Sequence, residues 1–199
     1  MNYKNFSKYF LFLLVFVILA YIAIVFHVNY NNTEDFDKLY AGLKNAEKKE
    51  GSFKKFTSVG EKACDYLLNK LPIEEDALIK SDILQIISYA NCSNCGVNLV
   101  PFLYDPDWRV RFFAVDALNK LEYKRLIDQL PEVILNDPNE NVKIGAIMIL
   151  GERGNTKDIK FLENLASRKK IYSKKYGKAI DIALDELRSK SGDDIRDVH

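Results

Sequence analysis

The sequence predicts an all-α protein: one N-terminal transmembrane helix, then a short α-solenoid of about three to four helix pairs. Three observations carry this. Asp105–Leu121 is echoed by Asp137–Gly151, with Asp105 falling on Asp137 and Pro106 on Pro138, and a fixed period of this size marks stacked helical units. Apolar residues return at spacings of three and four along most of the chain, and no segment alternates convincingly over a strand's length. Residues 9–28 hold twenty consecutive positions without an acidic or strongly basic side chain, enough to cross a hydrocarbon core of about 30 Å as a helix.

Taken in order, residues 1–8 read as an N-terminal tail, 9–28 as the membrane anchor and 29–33 as a short polar linker. The solenoid follows over 34–190, and 191–199 is a polar C-terminal tail. A signal peptide would need a shorter apolar core followed by small residues at a cleavage site; Ala20 and Ala23 instead lie inside the run. Lys4 and Lys8 precede the segment, and Glu34, Asp35 and Asp37 are the first charges after it. By the positive-inside rule the chain is a single-pass membrane protein with a cytoplasmic N-terminus and its solenoid on the extracytoplasmic side.

Within the solenoid, a helix is expected from Glu34 to about Lys49, broken by Gly51 and Ser52. Another runs from about Val59 to Leu71 and stops at Pro72. A third, about Glu75–Ala90, turns Ala77, Leu78, Ile83, Leu84, Ile86 and Ile87 inward. Gly96–Leu103 and Arg125–Leu135 are amphipathic and precede the two repeat copies. Gly151–Gly154 is a helix end in which glycine suits a left-handed position. A helix over Asp158–Ser167 and a last one over about Tyr172–Ser189 complete the chain.

Each repeat copy has the same physical logic. An Asp-Pro pair, Asp105-Pro106 or Asp137-Pro138, keeps the backbone extended and ends the preceding helix. Asp107 and Asn139 then stand where a side-chain oxygen caps the next helix. Val110, Ala114 and Leu118 match Val142, Ala146 and Leu150 on one apolar face, and Arg111 is answered by Lys143. A helix pair of this kind cannot bury its apolar face alone, and stacking solves the problem. The same offset applied backwards places Leu78 on Val110 but sets Asp82 on Ala114; applied forwards, Ala179 and Ala183 fit with one residue inserted.

These residues resemble HEAT or HEAT-like repeats, whose second helix opens with an Asp, then Val-Arg, then a downstream Ala and Leu. The resemblance covers Leu99–Leu165, and the flanks are atypical repeats of the sort that cap a solenoid. It implies that Asp105, Arg111, Asp137 and Lys143 are structural, bonding to neighbouring loops and helices. It also implies a binding function: a scaffold or accessory subunit holding a protein partner or a larger membrane complex. Some HEAT-like proteins resemble bilin lyases of the PBS-lyase type, so a cofactor-attachment or maturation role is the alternative.

Inventory bounds the chemistry. With 29 Lys and Arg against 28 Asp and Glu, the near-neutral balance argues against nucleic acid as a partner. Neither His27 nor His199 is placed to act as a general base in the solenoid. No catalytic, cofactor-binding or metal residues are assigned, and no enzyme activity is expected. Cys92-Ser-Asn-Cys95 admits a disulfide, including one from either cysteine to Cys64, a redox dithiol, or half of a metal site that lacks its other ligands. A thiol redox protein is thus a second alternative. For partner binding the candidates are Trp108 and Arg109, and the basic set Arg168, Lys169, Lys170, Lys174 and Lys175. Trp108 reads either as a core plug between repeats or as an interface anchor. The basic set reads either as a solvated turn and helix start or as a docking patch for an acidic partner or lipid headgroups.

Overall fold

The computed structural model describes residues 14–23, 35–92, 94–168 and 173–193, and among them there is no strand. The chain divides into two compact units, Met1–Lys55 and Phe56–His199.

The first unit holds α1 (14–23), α2 (35–43) and the start of α3, Lys49–Val59. No helix among the described residues is long and apolar enough to cross a membrane. The expected anchor over 9–28, and with it the single-pass topology and extracytoplasmic solenoid, is corrected accordingly. The described part of that segment is α1, and the rest of 9–28 lies outside the described residues. The expected N-terminal tail 1–8 and linker 29–33 lie outside the described residues, as does the expected C-terminal tail 191–199 from 194 onward, while 191–193 continue the last helix.

Gly51 and Ser52 do not break a helix but sit inside α3. The interruption falls at 44–48, where the Asn45 side chain accepts the backbone N–H groups of Glu47 and Lys48 at 3.0 and 3.2 Å. Such a local bond offers the backbone an alternative to the helix. Ser52 is buried, and a Cβ on Gly42 would collide with its side chain, so these small residues serve a close approach.

In the second unit the expected helix from Val59 is interrupted at once. Gly60 adopts a left-handed φ of +66°, a short 3₁₀ turn follows, and α4 covers only Cys64–Lys70. Four helix pairs then succeed one another. The first helices are α4, α6 (Gly96–Leu99, extended by a 3₁₀ turn over Val100–Tyr104), α8 (Leu126–Asn136) and α10 (Thr156–Ser167). The second helices are α5 (Ala77–Tyr89), α7 (Trp108–Lys120), α9 (Glu140–Arg153) and α11 (Lys174–Asp193). The second helices stack in series, α5 on α7, α7 on α9 and α9 on α11.

The core repeats with them. Ile83, Ala114, Ala146 and Ala179 are buried at equivalent places, as are Ile87, Leu118, Leu150 and Ala183. The step between copies therefore lengthens by one position at each repeat. The upstream shift expected from the two clear copies overshoots by one. In the shorter register Ile79 occupies the place of Val110 and Lys80 that of Arg111, and Leu78, expected inside, is 50% exposed. Downstream, the inserted residue is where the pattern required it. Gly154 also differs from expectation: its backbone is extended (φ −69°, ψ −177°), and glycine is needed because a Cβ would strike the Leu150 carbonyl.

Candidate functional site: the junction between repeats

The turn before each second helix is tied by a carboxylate. Asp105 Oδ1 accepts the N–H of Asp107 at 2.9 Å, and Asp137 Oδ1 accepts that of Asn139 at 2.7 Å. One repeat earlier Glu74 does the same work with a longer side chain, accepting the N–H groups of Glu75 and Asp76 at 2.9 and 3.0 Å. Asp76, Asp107 and Asn139 then cap their helices, each accepting the N–H two residues on at 2.7, 2.8 and 2.9 Å.

A cation on each second helix reaches the next turn. Lys80 donates to Asp105 Oδ2 at 2.8 Å. Arg111, buried, donates Nε and Nη2 to the two oxygens of Asp137 at 2.7 and 2.9 Å, and Nη1 to the carbonyls of Asp105 and Pro106 at 2.8 and 3.0 Å. This planar fork joins two successive turns and the helix between them. Lys143, the third of the series, donates to the Leu135 carbonyl in the last turn of α8 at 3.1 Å, where a cation meets the negative end of the helix dipole. The opposite ends of the second helices are joined likewise. Arg153 donates to the Asn119 carbonyl on α7 at 3.1 Å, and Lys190 to that of Gly151 on α9 at 3.0 Å.

Beside the Arg111–Asp137 pair a groove of about 400 Å³ opens between the two Asp-Pro turns. Leu103 and Val133 line it, with Tyr104, Glu132 and Asn136 around them. The Tyr104 hydroxyl lies 3.3 Å from Gln129 Oε1 and 3.5 Å from Glu132 Oε2. With one proton it serves one acceptor at a time, and at these distances neither bond is strong. Desolvation, with the adjacent Glu132 charge, pushes the Tyr104 hydroxyl above its ordinary pKa. Sequence reasoning missed Tyr104 and Glu132 because nothing in their local pattern separates them from ordinary helix-surface residues.

The structure places the expected partner-binding residues apart. Trp108 opens α7 and is 40% exposed. Arg109 folds back on Asp107, with contacts of 2.9 and 2.6 Å. The hydrogen bonds from the Arg109 guanidinium hold the Asp107 carboxyl down to about 2. Arg168 ends α10, Lys174 and Lys175 begin α11, and Lys175 reaches Asn141 Oδ1 at 3.1 Å. In the stack α9 lies between α7 and α11, so Trp108 and Arg109 do not share a patch with this basic set. Lys169 and Lys170 lie outside the described residues.

Cys64 and Cys92 form a disulfide, which ties α4 to the loop after α5. Cys95 is a buried free thiol donating to the Cys92 carbonyl at 2.9 Å, and burial pushes it up to about 11. A redox nucleophile needs the reverse, an electropositive setting that lowers the thiol's pKa. Among the described residues no group of three or more His, Cys, Asp or Glu side chains is placed to hold a metal ion.

Residues 97–172 match the family described as HEAT repeats. The match begins in α6 and takes in α7, α8, α9 and α10, so the junction built on Arg111 and Asp137 is a contact between HEAT-like repeats. No curated protein matches the chain significantly.

Proposed function

We propose that this chain is a binding protein, a HEAT-like scaffold or accessory subunit that holds a protein partner along its stacked repeats. HEAT repeats generally mediate protein–protein interaction, and stacked helix pairs offer extended surfaces for it. Trp108 carries the reading for this chain. An indole 40% exposed at the head of a repeat helix exceeds what a packing role needs, and tryptophan dominates interface energetics when a partner covers it. Leu78, exposed at the same end of the adjacent α5, extends the apolar surface. Arg168, Lys174 and Lys175 would form a separate, acidic-partner-facing set at α11. With the membrane anchor corrected, the proposal names a protein partner and no membrane.

The test is affinity capture on the full chain from its native source, followed by calorimetry with whatever is retained. The expected result is one protein bound at fixed stoichiometry, with affinity reduced at least about tenfold by Trp108→Ala. A chain that retains nothing, or a partner that binds both forms equally, would overturn the assignment.

A further inference from the structure

We infer that the groove between the two Asp-Pro turns receives an arginine side chain from an extended segment of the protein partner. This deepens the binding reading above and rests on it.

Charge accounting selects the occupant. Of the charged groups lining the groove, Arg111 is spent on Asp137 and on two carbonyls, and Asp105 is held by Lys80. Glu132 alone remains, touched only by the Tyr104 hydroxyl at 3.5 Å and paired with no cation among the described residues. The backbone adds to its field. Both α8 and the 3₁₀ turn Val100–Tyr104 end at the groove, and helix carbonyl ends favour cations. The chain's own cations follow that field. Arg111 seats on the carbonyls of Asp105 and Pro106, and Lys143 on that of Leu135. One carboxylate is left without a counterpart from this chain.

The shape selects arginine over lysine. Leu103 and Val133 are buried apolar walls against which a side-chain stem can lie. Tyr104, 55% exposed, presents an aromatic ring at the mouth. A guanidinium stacks on such a ring and forks onto a carboxylate, whereas an ammonium does neither as well. The groove's volume of about 400 Å³ also admits the flanking backbone. The junction upstream lacks this charge: one repeat earlier, the residue in the place of Glu132 is Val100 or Pro101.

The experiment is an NMR titration of the full chain with N-acetyl-arginine N-methylamide, using the citrulline derivative as a neutral isostere and the lysine derivative as a point-charge control. Saturable shifts centred on Tyr104, Glu132 and Asn136 are expected with arginine and not with citrulline. Glu132→Gln, on the groove's open side, should leave the remaining spectrum unchanged and weaken arginine binding about tenfold, the worth of one charge-assisted bond. Tyr104→Leu should reduce the preference for arginine over lysine, leaving the part that the fork onto Glu132 supplies. Equal binding of citrulline, insensitivity to Glu132→Gln, or no saturable shift at all would overturn the proposal. A partner that loses affinity on Trp108→Ala but not on Glu132→Gln would remove the groove from the interface and leave the scaffold reading standing. Absence of any protein partner, with arginine still bound at the groove, would instead remove the scaffold reading.

Discussion

Arg111 is compensated entirely by protein atoms: two carboxylate oxygens of Asp137 and two backbone carbonyls. Its side chain is 9% exposed and that of Asp137 4%. Removing one member of such a pair strands the other's charge out of water. Asp137→Ala should therefore cost about 3–5 kcal/mol of stability, seen as a lower urea midpoint with an unchanged slope. A stable Asp137→Ala protein would mean that Arg111 swings out to solvent. Asp107 carries a different dependence. Its folded carboxyl is depressed to about 2 from an ordinary 3.8, so its contribution is present above about pH 4 and is lost as pH falls towards 2. Because it is partly solvated, the effect is modest. The Asp107→Asn protein should lose less stability than the wild type across that window, measured by thermal melts at fixed ionic strength.

The pairing of elements depends on small contacts. The Cys64–Cys92 disulfide closes a loop across a separation of 28 residues, and loop-closure arguments assign a bond of that span about 3–4 kcal/mol. The Cys64→Ser, Cys92→Ser protein should melt correspondingly lower, while the Cys95→Ser protein should stay near wild type. The sulfur pairing is a case where sequence ran out. The C-x-x-C spacing left open a bond within the pair or from either cysteine to Cys64. The tertiary structure decides for Cys92 with Cys64, because the turn before α4 brings that thiol against the loop after α5. Helix boundaries show the same limit. Asp107 and Asn139 were legible as caps because capping is local chemistry. The break at 44–48 was not, because Asn45 forms a turn whose competition with the helix composition does not reveal.

Across the stack, each repeat is held by its neighbours, so damage should propagate along the chain in one direction. Gly151 lies where α9 meets α11, and a Cβ there would stand 2.6 Å from the Ala183 Cα and 2.7 Å from its Cβ. Both atoms are anchored, so the helices must separate. Gly151→Ala should cost about 1–3 kcal/mol. Hydrogen exchange should show α11 losing protection first, while α5 and α7, beyond the Arg111–Asp137 clamp, keep theirs. Uniform loss of protection would mean that the four pairs unfold as a single unit.

The repeat, its helix caps, the apolar faces and the all-helical class were all legible in the sequence, because each rests on contacts within a few residues or on a period that self-comparison reveals. The register of the outer repeats was not. The shorter step upstream and the longer one downstream are fixed by which side chains fit under the neighbouring helix, as Ile79 and Ala179 do. The groove at Tyr104 and Glu132 exists only after two turns, a full repeat apart in sequence, are drawn side by side by one arginine. Its charge balance is a property of that juxtaposition, and no stretch of chain taken alone contains it.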